Sequence, residues 1–199
     1  MPGSAGFARA ERTTRALLWA GVAAPVVAWG LSVAAAVVWP GYDPVAQSIS
    51  VLVRGPAGWL LTVAFAVSGF LGVAWAVAMG RLLGATAGER RLVRGLLLAQ
   101  AVLVLLFAVF PTDLQRGRTP VGVLHLVDFG LYAVVTPVAL AAIGRVMRRD
   151  ARWAGWVAAT TLAAGATAVG LLVAPLTLDG PLEPWLGLLE RALVAVPTG

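Results

Sequence analysis

The sequence predicts an all-α fold: a polytopic integral membrane helical bundle of about six transmembrane helices with a cytoplasmic N-terminus. Three observations carry this. The chain is 60% hydrophobic and only 12% charged, where soluble domains run at ~45–50% apolar and ~25% charged. Its mean hydropathy is +0.89, and apolar runs of about 20 residues recur, each long enough to cross a hydrocarbon core of ~30 Å as a helix. The basic residues, all of them arginine, gather in alternate connections between those runs.

Residues 1–13 read as a polar cytoplasmic arm carrying Arg9 and Arg12, and residues 14–199 as one transmembrane domain. The first apolar run, 16–39, is too long for the core of a signal peptide and ends in Trp39-Pro40, so it reads as a retained span. The segment Pro40 to Pro56 holds three prolines and two glycines, which predicts a structured loop with a helical turn after Pro44. Further spans are expected at 57–80, 92–110, 121–144 and 153–175, with Pro137 as a kink in the fourth. Between them lie Arg81 to Arg91, Pro111 to Pro120 and Arg145 to Arg152, and then Leu176 to Pro184 with Asp179 and Glu183. The last run, 185–199, reaches only ~23 Å as a helix and reads as a truncated or tilted sixth span.

Orientation follows from the arginines. With the N-terminus inside, eleven fall on the inner side: Arg9, Arg12 and Arg15, then Arg81, Arg90, Arg91 and Arg94, then Arg145, Arg148, Arg149 and Arg152. Three fall outside: Arg54, Arg116 and Arg118. That bias sets the topology. Trp39, Trp59 and Trp185 then mark the outer interface, and Trp19, Trp153 and Trp156 the inner one. Gly69 with Gly72, and Gly165 with Gly170, predict close helix approaches.

Composition also excludes. With no cysteine, disulfides, thioether-linked haem and thiolate metal sites are ruled out. A net charge of +6 and a pI near 11.4 would suit nucleic acid, but the arginines sit where the positive-inside rule puts them, so no nucleic acid partner is expected. The all-arginine basic set, beside abundant Ala, Val, Leu and Gly, fits a GC-rich coding sequence and says nothing of function.

The polar residues sort to one side. His125 is the only histidine, and helical spacing aligns it with Asp128, Tyr132 and Thr136 in one stripe of the fourth span. Ionisable groups in hydrocarbon face bundle interiors or watery cavities and mark function by default. The topology puts Tyr42, Asp43, Gln47, Ser48 and Ser50 on the same outer side, with Thr112, Asp113 and Glu190, which predicts an outward-facing polar pocket. The candidate catalytic residues are Asp128, His125, Asp113 and Asp43. The candidate substrate-binding residues are Tyr42, Gln47, Ser48, Tyr132, Glu190 and Arg191. No metal and no cofactor is expected.

Each has a plainer reading. Asp43 before Pro44 caps a short helix, and Asp113 after Pro111-Thr112 caps a helix or turn. His125 is a structural hydrogen bonder. Asp128 needs a partner, with His125 at i−3, Arg191 or an outer-loop arginine as candidates; such a pair would order the bundle as readily as catalyse. Glu190-Arg191 is either a solvated turn or an extension of the polar stripe. Gln100 and Ser68 read as interhelical hydrogen bonders, and Thr160, Thr161 and Thr167 as bonding their own helix.

The loop Tyr42-Asp43-Pro44-Val-Ala-Gln47-Ser48-Ile-Ser50, the run Phe110-Pro111-Thr-Asp113, His125 at the head of the next span, and Gly187-Leu-Leu-Glu190-Arg191 together resemble a known family. It is the prokaryotic six-span membrane family catalogued as domain of unknown function 998, and the resemblance covers roughly residues 15 to 199. It implies a fold and a polar outer face in a prokaryotic plasma membrane, and no established reaction. In related sequences the last span runs further. The family is distantly similar to six- and seven-span hydrolases of the ceramidase type, which hold zinc with three histidines; the single histidine here excludes that site.

Three functions follow. One is an enzyme using acid–base chemistry on an outer-leaflet lipid or isoprenoid. A Ser48–His125–Asp128 relay is disfavoured, because His and Asp three apart on one helix align poorly. The alternative is a non-catalytic sensor, lipid-binding module or accessory subunit. A small transporter is less favoured, since it would show broken spans and polar groups on both sides. Membrane lipids are the expected partners, with a lipid or isoprenoid ligand, and the sequence makes no prediction of oligomeric state.

Overall fold

A computed structural model describes residues 4–83, 86–113, 119–177 and 180–195. Among them all regular structure is helical: α1 (Ser4–Val37), α2 (Gly58–Leu82), α3 (Ala87–Val109), α4 (Pro120–Met147), α5 (Ala154–Val173) and α6 (Leu186–Ala195). Five of these, α1 to α5, are long and apolar enough to cross a membrane. The protein is therefore a multi-pass membrane protein with an all-α bundle. The expected sixth span is described only as the ten-residue α6, about 15 Å of helix against a ~30 Å core. Residues 196–199 lie outside the described part, as do Arg116, Arg118 and Asp179.

Local chemistry sets the helix starts. α1 runs back to Ser4, through most of the expected polar arm. α3 begins before its apolar run because Thr86 and Glu89 form a capping box: Thr86 Oγ1 accepts from Glu89 N–H at 3.3 Å, and Glu89 Oε2 accepts from Thr86 N–H at 3.1 Å. Thr119 caps α4 by accepting from Gly122 N–H, with Pro120 at the first helical position. α4 continues through Pro137, and α1 through Pro25.

Substantial helix packing joins sequence neighbours, α1 on α2, α2 on α3, α3 on α4 and α4 on α5, while α6 leans lightly on α5. Small residues allow the tight crossings. A Cβ on Gly69 would lie 2.5 Å from Leu105 and one on Gly72 3.1 Å from Ala101, so α2 and α3 approach closely, as expected. Gly170 admits Leu193 of α6, whereas a Cβ on Gly165 would meet nothing within 4 Å among the described residues, contrary to expectation. The buried apolar residues form patches along α2, α3 and α4, led by Ala76, Leu83, Val93 and Ile143 at one end and Leu103, Phe107 and Tyr132 towards the other. Outward-facing Trp19, Phe70, Leu162 and Leu172 are exposed, as residues that meet lipid are.

The two ends differ. One carries the start of α1 and the α2–α3 and α4–α5 connections, with most of the arginines; the other carries the α1–α2 and α3–α4 connections and the start of α6. They are called below the arginine end and the loop end.

Candidate functional site

The loop end is built around the turn after α1. Gly41 takes φ of 82°, a left-handed conformation that suits glycine. Asp43 Oδ1 accepts from Val45 N–H at 2.8 Å and Ala46 N–H at 3.4 Å, and Asp43 N–H donates to Gln47 Oε1 at 2.8 Å. Asp43 and Gln47 thus close their own turn. Tyr42 stacks on Trp39 at 5.5 Å between ring centroids and donates its hydroxyl to Ser48 O at 2.8 Å. Ser48 Oγ lies 3.2 Å from Ser50 Oγ.

α6 docks on this loop. Arg191 Nη1 donates to the carbonyls of Pro44 at 2.6 Å, Gln47 at 3.0 Å and Gly187 at 2.9 Å. Its other terminal nitrogen donates to the Tyr42 hydroxyl, and the guanidinium lies over the Tyr42 ring at 5.6 Å. Burial raises the Tyr42 phenol above its ordinary value, and the neighbouring guanidinium partly offsets this. Glu190 Oε2 accepts from Ile49 N–H at 3.0 Å, and Leu188 N–H donates to Val45 O at 3.0 Å. A Cβ on Gly187 would lie 2.2 Å from Gln47 O, so only glycine fits that approach. Glu190-Arg191 is thus neither a solvated turn nor a partner of Asp128. It clasps residues more than 140 positions earlier.

The head of α4 is fastened separately. Asp113 Oδ2 accepts from Thr119 N–H at 2.9 Å and Thr119 Oγ1 at 2.8 Å, and Thr119 in turn caps α4. Asp113 is therefore not itself the cap, as expected of it, but holds the residue that caps α4. A Cβ on Gly122 would meet Asp113 Oδ2 at 2.3 Å, so glycine lets the carboxylate close on the helix. Arg54 Nε donates to Thr112 O at 2.6 Å.

The stripe His125, Asp128, Tyr132 and Thr136 is buried on α4. The expected pairing of His125 with Asp128 is not made. His125 Nδ1 lies 2.9 Å from Phe110 O. A carbonyl only accepts, so Nδ1 carries a proton; in the neutral ring that leaves Nε2 as the acceptor. Its ring packs on Phe107 at 5.3 Å. The physical reason is reach: Phe110 is the first residue past α3, where helix carbonyls lack partners, and it offers one to the imidazole. Asp128 is 4% exposed, and neither carboxyl oxygen has a hydrogen-bond partner among the described residues. The Ser48–His125–Asp128 relay is absent for the same reasons. Deeper in, Gln100 Nε2 donates to Thr136 Oγ1 at 3.2 Å, and Ser68 Oγ donates across to Ala24 O at 3.0 Å, so both are interhelical as expected. Thr160 and Thr167 bond their own helix.

Two cavities meet at this end. The larger, about 960 Å³, runs between α1, α2, α3 and α4, from Leu18 and Trp75 up to Ile49, Ser50 and Glu190. The smaller, about 650 Å³, lies between the loop, α5 and α6 and includes Gln47, Ser48, Thr112 and Asp113. Ser50, His125, Phe129 and Glu190 line both, forming a shared wall. Of the expected site residues, Tyr132 lines the larger cavity, and Asp113, Gln47 and Ser48 the smaller. Asp43, Tyr42, Arg191 and Asp128 line neither. Sequence reasoning missed the α1 wall, where Leu18, Gly21, Pro25, Ala28 and Ser32 recur at three- and four-residue spacing on one face. That spacing was the available signal. Among the described residues no group of three or more His, Asp or Glu could hold a metal ion.

Residues 22–199 match the family model described as "Protein of unknown function (DUF998)". No curated protein and no solved structure matches the chain.

Proposed function

We propose that this chain, which belongs to the DUF998 family, is a lipid-binding membrane protein that holds an amphipathic lipid or isoprenoid. The apolar chain would lie in the larger cavity and the head at His125 and Glu190. The observation that carries this reading is the form of that cavity: about 960 Å³, walled mainly by apolar side chains, with Ser50, His125 and Glu190 at the loop end and Ser32, Ser68, Gln100 and Tyr132 elsewhere along it. Ligand sites are concave, mostly apolar and of ~300–1,000 Å³, with a few placed polar groups. The arginine distribution supports a cytoplasmic N-terminus with the loop end outside, and the family resemblance implies a prokaryotic plasma membrane.

The test is recovery of lipid. The purified protein should carry tightly held lipid in non-ionic detergent, read by native mass spectrometry, and Ala28→Trp, which fills the cavity, should release most of it while the fold survives. Equal lipid in both proteins would sink the reading.

Acid–base catalysis on the same ligand is a second reading, supported by His125, Asp113 and Glu190 on the wall of one cavity. It requires that a supplied lipid change in mass on incubation and that His125→Ala stop the change. Recovery of unaltered lipid would leave the binder and remove the catalyst.

A further inference from the structure

The depth of the larger cavity carries an inference about the length of the ligand. Its lining residues nearest the arginine end are Leu18 of α1, Trp75 of α2 and Leu97 of α3. Leu97 belongs to the packed cluster that fills that end of the bundle with Ala76, Val93 and Ile143, and Leu18 and Trp75 pack against it. The cavity therefore has a floor. Trp75 is the largest of the three, and α1 holds its indole as well as its own helix does. A Cβ on Gly21 would lie 2.3 Å from Trp75 Cδ1 and 2.6 Å from Nε1, so the ring fills the space that a side chain at Gly21 would take. Further up, Ser32, Ser68 and Gln100 donate to the bundle itself, to Ala28 O at 2.7 Å, Ala24 O at 3.0 Å and Thr136 Oγ1 at 3.2 Å. Below Ser68 and Gln100 the wall is apolar and aromatic, with Val22 of α1 and Gly72 of α2 just above the floor.

We infer that Trp75 sets the length of chain that the larger cavity takes, and that the ligand carries an acyl-type chain of about one leaflet's length, not a long polyisoprenoid. This rests on the lipid-binding reading. At ~1.5 Å per residue, Ser32 to Leu18 on α1 spans ~21 Å and Phe65 to Trp75 on α2 spans ~15 Å. Half of a hydrocarbon core of ~30 Å is ~15 Å, so the cavity is about as deep as one leaflet is thick. A chain of that length ends on the indole. A longer one meets a packed floor, and packed interiors resist added methylenes.

The experiment offers the full chain, in non-ionic detergent, an equimolar mixture of saturated primary alcohols from decanol to docosanol, with solanesol as the long isoprenoid. The protein is repurified, and what it retains is extracted and quantified by gas chromatography. A common hydroxyl head leaves the chain as the variable. Retention is expected to rise to about hexadecanol and then fall, with docosanol and solanesol near background. In Trp75→Ala the maximum should move to longer homologues and the ratio of docosanol to hexadecanol should rise about tenfold, as relief of an overpacked contact gives. Trp75→Leu, a smaller cut that guards against loss of the fold, should shift the profile the same way by less. Trp19→Ala, on the exposed outer face and lining neither cavity, should leave it unchanged. An unmoved maximum in both Trp75 variants overturns the inference and leaves the lipid-binding reading intact. So does solanesol retained as well as hexadecanol. Retention of no alcohol, or equal retention by Ala28→Trp, overturns the lipid-binding reading itself.

Discussion

The two ends of the bundle solve the same problem, a set of polar groups beside hydrocarbon, in opposite ways. At the arginine end charges are exposed, and most of their contacts are short in sequence. Thr86 and Glu89 cap each other and Asp150 grips Arg152 two residues on; among these the one long reach is from Glu89 to Arg149 in the α4–α5 turn. At the loop end contacts join remote segments: Arg191 to Pro44 and Gln47, Glu190 to Ile49, and Arg54 to Thr112. The first kind decides where helices begin. The second decides which segments meet and encloses the cavities. A polar group therefore matters for architecture in proportion to the chain it spans, more than to its charge.

The largest test of that contrast is a matched pair. Arg191→Leu removes a charged donor from several carbonyls and should cost about 3 kcal/mol in mixed-micelle unfolding, as hydrogen bonds to a charged group run at about 1.5–3 kcal/mol each and do not add fully. Arg152→Leu, which removes an exposed pair, should leave the unfolding transition close to that of the wild type. Equal losses would break the comparison.

Asp128 is the exception at the loop end, a buried carboxyl with no partner among the described residues. Asp128→Leu should therefore stabilise the bundle, by about 1–3 kcal/mol, because it removes an unsatisfied polar group from the interior. A loss of stability in the same unfolding assay would mean that the carboxyl is compensated and that the loop end has no exception.

The smallest effect is at the arginine end and depends on pH. The Thr86 backbone N–H first, then the Thr86 hydroxyl and the guanidinium of Arg149, hold the Glu89 carboxyl below its ordinary value. A carboxylate depressed in the folded state stabilises above its unfolded value, and that contribution is lost as pH falls through the folded one. The thermal midpoint of the wild type should exceed that of Glu89→Gln at about pH 6, and the two should converge by about pH 3. A gap that persists in acid would remove the carboxylate from the account of α3.

Much of this was legible in the sequence. Hydropathy located α2, α4 and α5 to within a few residues, since a run of apolar side chains long enough to cross a membrane has few other folds. It placed α3 late, beginning at 92, because the capping box extends the helix into polar residues that hydropathy ignores. The turn at Asp43 was legible as a cap, because short acidic side chains serve nearby N–H groups whatever the fold; Asp113 was not, because it holds the capping residue Thr119 six positions on. What was not legible is which remote groups meet. Nothing in the run from Tyr42 to Ser50 announces Arg191, and helical spacing that aligns His125 with Asp128 does not reveal that a carbonyl from α3 takes the imidazole instead.

The clasp between α6 and the first loop also sets an order of events during biosynthesis. Arg191 is made 149 residues after Tyr42, which at ~5–20 residues per second puts about 7–30 s between them on the ribosome. For that interval the carbonyls of Pro44 and Gln47 stand without their guanidinium while the later helices are being inserted. The first loop to be made is the last to be finished, and any factor that attends the nascent chain has that surface to hold.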